Sequence, residues 1–201
     1  MLSVPTRLCS AAWLEPGHPD RLGATVAIVA KVLEYFVEQG RFGCKRWGVF
    51  IDFISLHQHP DWQNDKFRPE AEDALFRRGL GSLATVYAHQ YTLVLRLTKA
   101  PEGYPEQYTL PPGANAAAYM DRGWCFCETS WASMTKHGEF CLDLGLFTGS
   151  KADIVDMISE RTEGGGRRAP LTPERFEEEL GKKSFTNGST DSPLVHKLDK
   201  E

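Results

Sequence analysis

The chain has 201 residues, 23 Lys and Arg against 27 Asp and Glu, and a formal net charge of −4. That length suits one domain with a tail and is ample to bury a core. The mildly acidic balance gives no electrostatic argument for nucleic acid or an anionic membrane as partner. No run approaches the ~18 apolar residues of a spanning helix, and no stretch reads as a signal peptide. Five cysteines without a C-x2-C pair argue against a disulfide scaffold or zinc site, and for reduced thiols in the cytoplasm.

Residues 1–10 hold enough apolar character for one strand. Nothing upstream offers it a partner, so the expectation is a chain that begins inside a domain. Two prolines and a glycine make 12–20 a loop. From 23 to 39 the apolar positions Val26, Val29, Leu33, Phe36 and Val37 recur every three or four residues, one stripe of a helix that Gly40 would cap. The run 47–53 reads as a strand buried on both faces, and 55–70 as a long polar loop. A second helix is predicted over 70–89, with Phe76, Leu80, Leu83 and Tyr87 on one face and Gly79 and Gly81 as weak points.

A strand over 91–98 follows, then a proline-rich excursion over 99–118. A third helix covers 121–136, a fourth strand 140–144, and a short helix 150–160 with Ile154, Val155 and Ile158 inward. Gly164-Gly165-Gly166 marks a linker. Thr172 and Pro173 then start a helix ending near Leu180, and the last twenty residues form a surface arm. This gives an α/β domain over 1–160 and a linker, helix and packed arm over 161–201. Strands alternating with helices predict a mostly parallel sheet with helices on both faces. Ligands of such sheets sit beyond the carboxyl ends of the strands, near the point where strand order reverses, which directs attention to the loops after residues 10, 53 and 98.

Two constellations stand at those places. At the end of the second strand, Asp52, Ser55, His57 and Gln58 concentrate donors and acceptors, although strand-end Asp and Ser are also common turn formers. The most distinctive stretch is Tyr119-Met120-Asp121-Arg122-Gly123-Trp124-Cys125-Phe126-Cys127-Glu128. On a helical wheel Trp124, Cys127, Trp131 and Met134 make the buried stripe. Glu128 lies at its shoulder, where desolvation between two indoles would raise its pKa. The plainer alternative is a surface Glu paired with Arg122. Cys125 and Cys127 diverge by about 200° on a helix and cannot share a metal, His57 and His59 are weak ligands, and no phosphate-binding or nucleophile-elbow motif is present. No metal or cofactor is expected.

Trp124-Cys125-Phe126-Cys127-Glu128 resembles the W-C-x-x-E helix start of TIR (Toll/interleukin-1 receptor) domains. Asp52-x-x-Ser55-Leu56-x-Gln58, Leu83-x-x-x-Tyr87-Ala88 and Arg122-Gly123-Trp124 are similar to the related HET (heterokaryon incompatibility) domains. HET/TIR-like proteins of microbial eukaryotes carry a segment that Ser10-Ala11-Ala12-Trp13-Leu14-Glu15-Pro16-Gly17-His18-Pro19-Asp20 resembles, with Ala11 where theirs has His. Phe185-Thr186-Asn187-Gly188 also looks like a feature of that family. The likeness covers roughly residues 8–190.

The resemblance implies a flavodoxin-like, TIR-like three-layer fold. It also implies cleavage of NAD, as substrate rather than cofactor, at the nicotinamide–ribose bond, with Glu128 as the catalytic carboxylate. In that picture Trp13, Tyr119 or Trp124 stacks on a flat base. Asp52, Ser55 and Gln58 bind ribose or phosphates, and Arg122 completes the binding set. Many TIR domains act only through homotypic contacts. Three readings therefore stand: a NAD glycohydrolase working as a homo-oligomer in stress or cell-death signalling, a noncatalytic self-associating module, and a nucleotide sensor without turnover.

Overall fold

The computed structural model describes residues 6–13, 17–39, 48–60, 64, 66–99, 109, 114–150, 157 and 169–186. Its frame is a four-stranded, wholly parallel sheet in the order β2-β1-β3-β4. The strands are β1 (Thr6–Ala11), β2 (Gly48–Ile51), β3 (Leu93–Leu97) and β4 (Cys141–Asp143). The first strand, with no partner upstream, lies inside the sheet, with Leu8 opposite Phe50 on one side and Val94 on the other. Its neighbours come from downstream, which a reading of local sequence does not reveal. β2, expected to be covered on both faces, is an edge strand with Val49 exposed.

Helix α1 (Ala24–Glu38) packs Val29, Val32 and Phe36 on one face of the sheet, against Cys9, Leu93, Leu95 and Leu142. Its buried stripe is rotated from the predicted one, leaving Val26 and Val37 at 42% and 49% exposure. Gly23 enters the helix at φ 71°, a left-handed conformation that favours glycine, and the Asp20 carboxylate accepts from Val26 N at 3.1 Å. The proposed cap Gly40 lies outside the described residues.

The predicted 70–89 helix is two helices, α3 (Glu70–Gly81) and α4 (Leu83–Ala88), broken at Ser82, where Gly79 and Gly81 already weaken the run. A one-turn helix α2 (Asp52–Ser55) precedes them. Beyond α4 the chain is sealed by Lys136, whose ammonium donates to His89 O and to Thr92 Oγ1, the latter at 2.6 Å. Burial lowers the Lys136 pKa to about 8.

α5 (Gly123–Thr135) covers the second face, packing Phe126, Cys127 and Trp131 with Leu8, Val94, Leu83 and Tyr87. Met134, placed in the buried stripe by the helical wheel, is 49% exposed near the helix end. The molecule is thus a three-layer α/β structure with α1 on one face and α4 and α5 on the other. Outside α5 lies α6 (Pro173–Leu180), capped by Thr172 as expected, with Phe176 and Leu180 buried against Phe126. The arm then turns back onto α5: Gly123 N donates to Ser184 O, and Ser184 N to Asp121 O, both at 2.9 Å. Most of the 99–118 excursion, the 164–166 linker and the 150–160 helix lie outside the described residues. Met157 is described and wholly buried, and its carbonyl accepts from Asp143 N at 2.6 Å.

Candidate functional site

In the order β2-β1-β3-β4, the chain leaves β1 toward β2 on one side and returns past it to β3 on the other. The reversal lies beyond the carboxyl ends of β1 and β3, the position of the ligand crevice in parallel α/β sheets. Ser10 stands at that end of β1, in register with Arg96 of β3. Alternation along β1 turns Leu8 and Ser10 toward α5, and Cys9 toward α1.

Glu128 reaches the same point from α5. Its carboxylate accepts a hydrogen bond from the Ser10 hydroxyl, which in turn shares one with the hydroxyl of Tyr119. Glu128 is 8% exposed, and among the described residues no lysine or arginine pairs with it. Burial pushes its pKa up to about 8, and the nearby Asp52 carboxylate adds to the rise. Hydrogen bonding from Ser10 and Tyr87 opposes both by favouring the charged form.

Asp52 sits where β2 passes into α2. Its Oδ2 accepts from the Trp13 indole at 2.7 Å and its Oδ1 from Phe53 N at 2.7 Å. Burial outweighs these bonds and raises its pKa to about 6. Trp13 meets Phe53 edge to face at 5.5 Å, and His18 lies 4.5 Å from the same ring. Two acids that disfavour each other's charge therefore share one end of the sheet, beside a small aromatic wall. Such an arrangement suits a flat or cationic group, because a cation would relieve both the burial penalty and the mutual repulsion.

Arg122 does something the sequence does not disclose. Buried at the start of α5, it donates to Ala117 O at 2.8 Å and also to the carbonyls of Trp13 and Asn115. One guanidinium thus staples the loop after β1 to the loop before α5, the two walls of the crevice. It does not pair with Glu128.

The structure brings together Trp13, Asp52, Tyr119, Arg122 and Glu128. Tyr119 is buried with its hydroxyl on Ser10, so its ring is not presented for stacking. Ser55 is exposed and accepts from Ile51 N at 3.1 Å, while Gln58 donates to the carbonyls of Leu56 and Asp52 at 3.1 and 3.4 Å. Both side chains brace the α2 turn rather than join the acids. Trp124, in the first turn of α5, is half-buried and packs against the core. Sequence reasoning missed Ser10 and Tyr87 as neighbours of Glu128; the signal for Ser10 was a hydroxyl where a central strand calls for an apolar side chain.

Comparison of the chain with protein-family models, curated proteins and solved structures returned no match. Among the described residues no helix is long and apolar enough to cross a membrane.

Proposed function

We propose that the chain is a TIR-type NAD glycohydrolase acting in stress or cell-death signalling, with Glu128 as its reacting carboxyl. The observation that carries this reading is Glu128 itself: a buried acid with no cationic partner among the described residues, held by Ser10 and near Asp52 at the carboxyl end of a parallel sheet. The resemblance of 124–128 to the W-C-x-x-E helix start supplies the substrate class.

The chemistry asked of the site is modest. The bond between nicotinamide nitrogen and ribose carbon breaks, and its electron pair leaves with neutral nicotinamide. The ribosyl cation left behind is stabilised by the Glu128 carboxylate and captured by water, which loses a proton, so NAD and water yield ADP-ribose, nicotinamide and a proton. Because burial favours protonated Glu128, a positively charged pyridinium bound beside it shifts the acid toward its working carboxylate form and releases a proton. Asp52 supplies a second negative charge, and Trp13 with Phe53 an aromatic wall.

On this reading the protein works in the cytoplasm and self-associates when active. A second reading, nucleotide sensing without turnover, draws support from the cover over Glu128, since a substrate must displace neighbours to reach it. Incubating concentrated protein with NAD, with nicotinamide followed by chromatography and melting curves alongside, separates the two. Turnover predicts nicotinamide and ADP-ribose in equal amounts; sensing predicts a raised Tm with NAD intact. Neither product nor shift would refute both.

A further inference from the structure

We propose that Ser10 is a positioning residue for Glu128, and that Tyr119, Ser10 and Glu128 form a one-way hydroxyl chain that holds the carboxylate. The inference rests on the reading of Glu128 as the reacting group, and its geometry stands apart from NAD. Ser10 is 1% exposed, held near the carboxyl end of β1 by its pairing with Arg96 of β3, and its hydroxyl has one proton to give. When Glu128 is ionised that proton goes to the carboxylate, so the bond shared with Tyr119 then runs from the phenol to Ser10. The whole chain is thereby oriented toward the carboxylate.

Tyr119 belongs to the 3-10 turn Tyr119–Asp121, which runs directly into Arg122. The arginine's grip on Trp13, Asn115 and Ala117 therefore sets where the phenol stands. The titratable groups near the acid on neighbouring elements are Asp52 of α2, Tyr87 of α4 and Cys125 of α5, with Cys9 of β1 turned to the opposite face of the sheet. Arg96 of β3 acts on Tyr119. Of these the hydroxyls are stronger donors than the thiols and bring no charge of their own. A ligand that moves the crevice loops would loosen or tighten the chain and so tune the acid.

The test is the titration of Glu128 in the full chain, read from the side-chain carboxyl signal of protein labelled with 13C-glutamate and assigned with Glu128→Gln. Ser10→Ala should move the midpoint upward by about one pH unit, because the ionised form loses its donor. Tyr119→Phe should move it less, in the same direction, and Ser10→Thr should restore the parent value. The pH profile of nicotinamide release should follow. An unchanged midpoint in both Ser10→Ala and Tyr119→Phe would overturn the chain, even if the parent releases nicotinamide. A shifted midpoint in protein that releases none would keep the chain and sink the NAD reading.

Discussion

The hydroxyl of Ser10 and the carboxyl of Glu128, 118 positions apart in sequence, meet between the sheet and α5. Their meeting puts an acid where burial opposes its charge and where no cation stands to compensate among the described residues. A core chosen for stability alone would place an apolar side chain there. The cost should be visible in how stability depends on pH.

Glu128 has a folded pKa of about 8 against an ordinary 4.5. Between those values the folded chain holds a proton that the unfolded chain has released, so stability falls as pH rises through the window. Asp52, at about 6 against 3.8, acts in the same direction over the lower part. Each pH unit costs at most about 1.4 kcal/mol per group. Glu128→Gln should therefore melt near the parent at pH 4.5 and several degrees above it at pH 8, with no further widening beyond. A constant Tm difference across that range would show that Glu128 is not shifted.

Arg122 satisfies three carbonyls on two loops. Arg122→Ala strands those acceptors and frees the crevice walls, and should cost about 2–4 kcal/mol in urea denaturation. Nucleotide binding should weaken with it. A loss under about 0.5 kcal/mol would mean that water replaces the guanidinium without penalty.

Gly123 shows why the arm matters. A Cβ built there falls onto the ring of Phe185, so only glycine lets residues 184 and 185 lie against the start of α5. Gly123→Ala should lower stability by about 1–3 kcal/mol and expose the arm to proteolysis. Adding Phe185→Ala should recover part of that loss, a coupling that a double-mutant cycle measures. Strict additivity would place the two residues apart.

Two helix glycines should behave differently. Nothing lies within 4 Å of a Cβ added at Gly81, so Gly81→Ala should stabilise by about 0.5–1 kcal/mol. At Gly79 the new Cβ would stand 2.6 Å from Leu56 Cδ2, and that gain should vanish. Thermal melts of the two single variants decide it, and equal gains would contradict the packing described.

What could be read from the sequence follows from range. The strand and helix alternation from β1 through β4, the Thr172 cap and the glycine weakness near residue 80 are local, and each appears where periodicity and turn chemistry place it. β1's position inside the sheet, the rotated stripe of α1 and the open edge of β2 depend on partners tens of residues away. The site divides in the same way. Asp52 and Glu128 stand out in sequence as acids in apolar settings, yet the meeting of Ser10 with Glu128, and the Arg122 staple, are tertiary facts. Ser55 and Gln58 resemble ligand groups in sequence because turn formers and ligand binders use the same residue types.

The account stands most directly on nicotinamide release from NAD by the parent and by Glu128→Gln, assayed side by side at high concentration with melting curves. It predicts release by the parent, increasing toward pH 8, and none from a variant that melts at or above the parent temperature. Equal release by both proteins, or no release at any concentration with NAD leaving the parent's melting curve unchanged, would contradict it.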